Sequence, residues 1–229
     1  MDGYATQALA ETPKQNQRGD VRSIAMSAQN DFWKWFIEHE GELSSFDPNQ
    51  EAERERIFDG LALELQKVDP NLAFEFGPNE SKREFVISAA GIRSAFPAVV
   101  SLAAAAPTLE RWKVIAFRPR RPPTAVKFRD KCVDAREVLF TLLDNGSMAG
   151  ISLFIPGLGK DGGDGDLKVI GYLLLDEALG EYDVETRLGL VEMLSPDTHT
   201  SGERYPLTEL PRLFDQLVAR LEGGDGKPS

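Results

Sequence analysis

The segment Arg118-Pro119-Arg120-Arg121-Pro122-Pro123 carries three prolines in five residues. Each proline lacks an amide donor and holds φ near one value, so neither a helix nor an interior strand runs through it. An extended, polyproline-type connection is expected there. The chain on either side must complete its own elements, and the boundary between two halves falls at this point, with 29–118 before it and 119–222 after it. A length of 229 residues suits one large domain or two small ones. Residues 1–28 are polar, lack an apolar period and are expected to form a disordered tail. The glycine-rich 223–229 is expected to be flexible.

Hydrophobic periodicity lays out the same order twice. Asn30 to Leu43 reads as a helix with Phe32, Trp33, Phe36 and Ile37 inward. Asp47-Pro48, with Gln50, predicts the cap of a second helix striped by Ile57, Phe58, Leu61, Leu65 and Val68. That helix must end before Asp69-Pro70. Alternation at Leu72, Phe74 and Phe76, a turn at 77–80 and a strand over 83–88 predict a hairpin. A helix over 92–106, with Phe96, Val99, Val100 and Ala103 inward, and a strand over 111–117 complete the first half. The second half shows a strand over 138–144, the hairpin turn Asn145-Gly146, a return strand over 150–155, a helix over 167–179 closed by Gly180, and a strand over 186–194. A last amphipathic helix carries Leu210, Phe214, Leu217, Val218 and Leu221. The expected fold is α+β: an antiparallel-rich sheet with helices on one face, as two ferredoxin-like strand–strand–helix–strand halves.

Charge is segregated. Residues 111–136 hold nine lysines and arginines against two aspartates, within a chain of net charge −11. A basic island in an acidic protein points to an anionic partner, or to a salt-bridged contact with the acidic remainder. Arg118, Arg120 and Arg121 on a stiff backbone could grip carboxylate or phosphate bidentately. Trp112, Phe117 and Phe128 flank them, an interleaving found in single-strand nucleic-acid binders. The overall negative charge argues against that use, because phosphate repels it. Trp33 and Trp35 sit about 200° apart on a helix. One of them is therefore exposed or packs on another element.

No strong catalytic motif occurs. The loop 157–166 resembles a phosphate loop in its glycines and lysine. It lacks Gly-Lys-Ser/Thr at the helix start, however, and interposes Asp161, Asp164 and Asp166. Those carboxylates could wrap calcium, though the spacing misses the twelve-residue loop, and an ordinary connection is the expected role. Glu181, Asp183 and Glu185, with Tyr182, could supply an acid/base pair or metal ligands, with Asp183 and Glu185 on one face if the stretch is extended. His39 and His199 have no second histidine or cysteine at ligand spacing, which argues against zinc. No Gly-x-Ser-x-Gly elbow presents a nucleophile, and Cys132 has no assignable base. That single cysteine excludes an intramolecular disulfide and suits a reducing compartment. No apolar run approaches a membrane span, and the N-terminus lacks the order of a secretory signal. A cytoplasmic protein is expected, with no cofactor and no metal.

The stretch Leu175 to Thr186, followed by Leu207-Thr208-Glu209-Leu210-Pro211, resembles the C-terminal part of bacterial proteins grouped as domains of unknown function. The strand Lys82 to Ala90 and Trp112 to Phe117 fit the same resemblance. It implies a bacterial cytosolic protein and carries over no catalytic residue. The expected function is a non-catalytic interaction or regulatory protein. Arg118, Arg120 and Arg121 would dock an acidic protein partner, with Trp112 or Trp35 as anchor. The alternative is a metal-assisted hydrolase using Glu181, Asp183 and Glu185. Oligomeric state is left open.

Overall fold

Two sets of apolar residues, one on each side of the proline-rich segment, gather into separate cores. The computed structural model describes residues 17–224 apart from Pro48, Glu80 and Asp161. In the first half, α1 (Gln17–Glu38), α2 (Glu40–Ser45) and α3 (Glu51–Val68) precede β1 (Ala73–Asn79) and β2 (Arg83–Ser88). Helix α4 (Phe96–Ala104) then leads to β3 (Trp112–Ala116). Helix α1 begins inside the span expected to be a tail, and residues 1–16 and 225–229 lie outside the described residues. The helix expected over 30–43 is divided at His39, whose ring stacks on Trp35 with centroids 4.3 Å apart. Asp47 does not cap α3. Its carboxylate accepts from the amide of Asn49 at 2.9 Å in a local turn, and Gln50 takes the cap position. Helix α3 stops before Asp69-Pro70 as its sequence dictates.

The aromatic residues of α1 and β1 meet over β2. Phe85 is fully buried, with its ring centroid 4.9 Å from Phe36 and 6.1 Å from Phe76. Strand β1 pairs antiparallel with β2, Phe76 opposite Phe85, and β3 pairs parallel with β2 through the α4 crossover. The chain enters α4 through a 3-10 turn at Arg93–Ala95, so Ala95, Val99 and Leu102 turn inward and Val100 is 52% exposed.

The second half opens with an unexpected hairpin, β4 (Ala125–Phe128) and β5 (Lys131–Asp134). Its turn uses Arg129 at φ 55°, where no glycine or asparagine marks it. Then come β6 (Leu139–Asn145), β7 (Met148–Phe154), α5 (Gly165–Leu179), α6 (Glu181–Arg187), β8 (Leu188–Leu194), β9 (Tyr205–Pro206) and α7 (Leu210–Gly224). The β6–β7 hairpin forms where Asn145-Gly146 predicted one, but its turn is Gly146-Ser147, one residue later, with Asn145 still paired to Met148 and Gly146 at φ 77°. Strand β8 pairs parallel with β7, and β9 pairs only with Leu139 and Phe140 of β6. One core draws on residues from Phe32 to Phe117, the other on residues from Val126 to Val218.

The α+β architecture rich in antiparallel pairs is present. Each half is a hairpin followed by a helix and a strand parallel to the hairpin's second strand. In both, the crossover joins neighbouring strands, in the orders β1-β2-β3 and β8-β7-β6-β9. A ferredoxin-like half would instead split its crossover strands around a third, so that finer expectation is not met. No helix among the described residues is long and apolar enough to cross a membrane.

Truncating Phe85 to alanine removes the ring around which the first core is built. The expected cost is about 3–5 kcal/mol, read as a lower urea midpoint by tryptophan fluorescence.

Candidate functional site

The basic linker and the Glu181–Glu185 segment are parts of one structure. The linker leaves β3 at Phe117, whose φ of 64° turns the chain sharply, and its ring packs against Phe96 and Tyr182 at 4.6 and 5.3 Å. It then runs between the first sheet and helices α5, α6 and α7. Gly180 closes α5 at φ 78°, a conformation in which a Cβ would lie 3.1 Å from the carbonyl oxygen of Arg118. Glycine suits both that φ, which side chains with a Cβ rarely adopt, and the close approach, which a Cβ would force apart by a few tenths of an ångström.

The next residue, Glu181, is fully buried, and its amide donates to the Arg118 carbonyl at 3.0 Å. Its Oε1 accepts from the backbone amides of Ala89 at 2.9 Å and Gly91 at 3.2 Å, and its Oε2 from that of Arg118 at 3.1 Å. The loop after β2 supplies the first two donors because Ala90 and Gly91 take left-handed conformations, at φ 48° and 79°. Amides from two loops aimed at one carboxylate form a concave anion cradle, while the intervening Ala90 amide donates to Ser88 Oγ. An acid from the second half thus plugs a backbone cradle of the first.

The three arginines expected to dock a partner reach inward from the linker. Arg118 pairs with Glu75 through Nε and with Asp176 at 3.6 Å. Arg120 grips Asp215 bidentately at 2.9 and 3.0 Å, pairs with Asp183 at 2.6 Å, and donates from Nε to the carbonyl of Leu179. Arg121 pairs with Glu84 at 2.6 Å, and its amide donates to the carbonyl of Glu177. The acidic remainder of the chain therefore meets these cations internally, the second of the two readings the charge pattern left open. Trp112 lies 2% exposed within the first core, with its indole nitrogen unpartnered. Trp35 is half-buried against the same core.

The acidic trio is not extended. It lies in α6, which was not expected, and there Glu181 and Glu185 share a face while Asp183 points elsewhere. Asp183 is held by Arg120 and, at 3.3 Å, by Arg187. Burial raises Glu185, with Arg93 opposing and Glu181 adding to the shift. No group of three or more histidine, cysteine or acidic side chains among the described residues is placed to hold a metal. In the glycine-rich loop, Asp164 caps α5 by accepting from the amides of Asp166 and Leu167, and it pairs with Lys131. Asp166 pairs with Arg129 at 2.9 Å. Asp161 lies outside the described residues.

Asp176 is the perturbed acid of the seam. Burial pushes it up to about 6, against the pull of Arg118 and with the help of Glu181, Glu185 and Glu75. Comparison with protein-family models, with curated proteins and with solved structures finds no match.

Two outcomes follow from this geometry. Glu181→Ala leaves one buried and two part-buried amides without an acceptor and should cost about 3–5 kcal/mol in chemical unfolding, more than any exposed charge removal. For Asp176, the folded pKa lies above the unfolded one, so the protein loses stability as pH rises from about 4 to about 6. Asp176→Asn lacks this loss. Its stability relative to the parent should rise by about 2–3 kcal/mol between about pH 4 and pH 7, measured by paired urea titrations.

Proposed function

We propose that this chain is a non-catalytic interaction protein that docks an acidic partner. The observation that carries the reading is the commitment of two of the three candidate catalytic acids, Glu181 and Asp183, to structural bonds. Glu181 spends its oxygens on three backbone amides, and Asp183 is gripped by Arg120 and Arg187. A general acid or base needs an oxygen that faces a substrate. A partner seated on Arg118, Arg120 and Arg121 would have to displace Glu75, Asp176, Asp183, Asp215 and Glu84. These arginines therefore act first as a splint between the halves. Open strand edges remain for docking. Among the described residues, strand β1 has a neighbour on one side only, and Thr141 to Asn145 of β6 lie beyond the reach of β9.

The competing reading is the metal-assisted hydrolase. Thermal unfolding in millimolar magnesium, manganese or zinc separates the two. The midpoint is expected to stay where it is without metal. A rise that disappears in Asp183→Asn would establish metal binding at α6 and overturn the non-catalytic reading. The triple Arg118/Arg120/Arg121→Ala variant tests the splint. It should lower the unfolding midpoint; an unchanged midpoint together with lost affinity for a partner would make these arginines the docking group instead.

A further inference from the structure

Arg83 opens β2 on the face that carries Phe85 and Ile87. Its guanidinium lies over the rings of Phe76 at 4.8 Å, Phe46 at 5.0 Å and Trp112 at 5.8 Å. Nε is buried without a hydrogen-bond partner, and no carboxylate among the described residues pairs with the group. The contrast with Arg118, Arg120 and Arg121, each held by at least one acid, is sharp. The rings supply part of what a carboxylate would, since a cation over aromatic faces is stabilised by their quadrupoles. They accept no hydrogen bond along the edge of the guanidinium, where a planar carboxylate fits.

The group lines an open groove of about 630 Å³. One wall is α3, with Phe58 and the exposed Asp59. The other is the edge strand β1, with Phe74 and Phe76, and Phe46 contributes to the lining. Strand β1 has β2 on one side and no strand on the other among the described residues. Its outer backbone donors and acceptors can pair with an added strand about 4.8 Å away. Alternate side chains of that strand face the groove. In a strand added parallel to β1, one lands between the rings of α3 and β1, and the next on the same face lies toward Arg83, which stands opposite Asn79 at the end of β1.

We propose that the groove between α3 and the open edge of β1 binds an extended peptide segment in which an apolar side chain is followed two residues later by a carboxylate that pairs with Arg83. The inference rests on the interaction reading above and supplies its acidic docking group. Asp59 on the facing wall, and Glu75 of β1, which also lines the groove but is paired with Arg118, repel a second acid, so one carboxylate per segment is preferred.

A pool of random octapeptides passed over the immobilised full chain, with retained peptides sequenced by mass spectrometry, tests this directly. Peptides with an apolar residue two positions before an acid should be enriched on the parent. They should fall at least tenfold on Arg83→Met, which keeps the bulk of the side chain, and rise on Asp59→Asn. Asp59 is exposed, so its variant carries the test if Arg83→Met fails to fold, a point checked by its unfolding midpoint. Peptides retained equally by the parent and Arg83→Met overturn the site but leave an interaction protein. Retention of no peptide above bare resin overturns the inference, and the interaction reading then stands or falls on the metal and arginine tests above.

Discussion

The Glu181 carboxylate, buried and bound to the amides of Ala89, Gly91 and Arg118, joins a helix of the second half to two loops of the first. A buried carboxylate is costly unless its oxygens find donors, and buried amides are costly without an acceptor. Each side answers the other's need. The arrangement requires the left-handed turn at Ala90 and Gly91, the bend at Phe117 and the close approach at Gly180. The linker's path, and with it the reach of its arginines, follows from this contact.

The basic island is then a solution to an internal problem. Helices α5, α6 and α7 present Asp176, Asp183 and Asp215 toward the seam, while β1 and β2 present Glu75 and Glu84. Without cations between them these acids would repel across the contact. Arginine suits the role because its fork binds two oxygens at once, as Arg120 does on Asp215. Half-exposed pairs of this kind contribute modestly to stability. Their stronger effect is on geometry, since each pair holds only in one placement of the linker. The β4–β5 hairpin repeats the device on a smaller scale, with Arg129 and Lys131 against Asp166 and Asp164.

The two halves share the order of hairpin, crossover helix and parallel strand but differ in how the core is filled. The first is aromatic, with Phe32, Trp33, Phe36, Phe85 and Trp112 interlocked. The second is aliphatic, around Ile151, Leu153, Ile170 and Leu174. An aromatic core leaves ring faces at its margin, and Arg83 covers three of them. That cation is held by packing instead of by an acid, which is what sets it apart from the arginines of the seam.

Local rules were legible in the chain. Asn145-Gly146 set a hairpin, Pro70 ended α3, Gly180 ended α5, and the alternation of Leu72, Phe74 and Phe76 marked the first sheet, because each depends on neighbours within a few residues. The expected fold class followed from these periods. The hairpin at Arg129-Asp130 and helix α6 were hidden, the one because its positive-φ position is taken by an arginine instead of glycine or asparagine, the other because a short charged helix has no apolar stripe. Charge segregation was visible as well, but its meaning was not. Whether Arg118, Arg120 and Arg121 face a partner or the chain's own acids depends on residues up to 95 positions away. So does the role of Glu181, whose donors at Ala89 and Gly91 are 92 and 90 positions distant. Sequence alone determined the elements and the amount of charge. Only the tertiary structure decided which charges are neutralised, because pairing depends on distances that folding creates between segments remote in the chain.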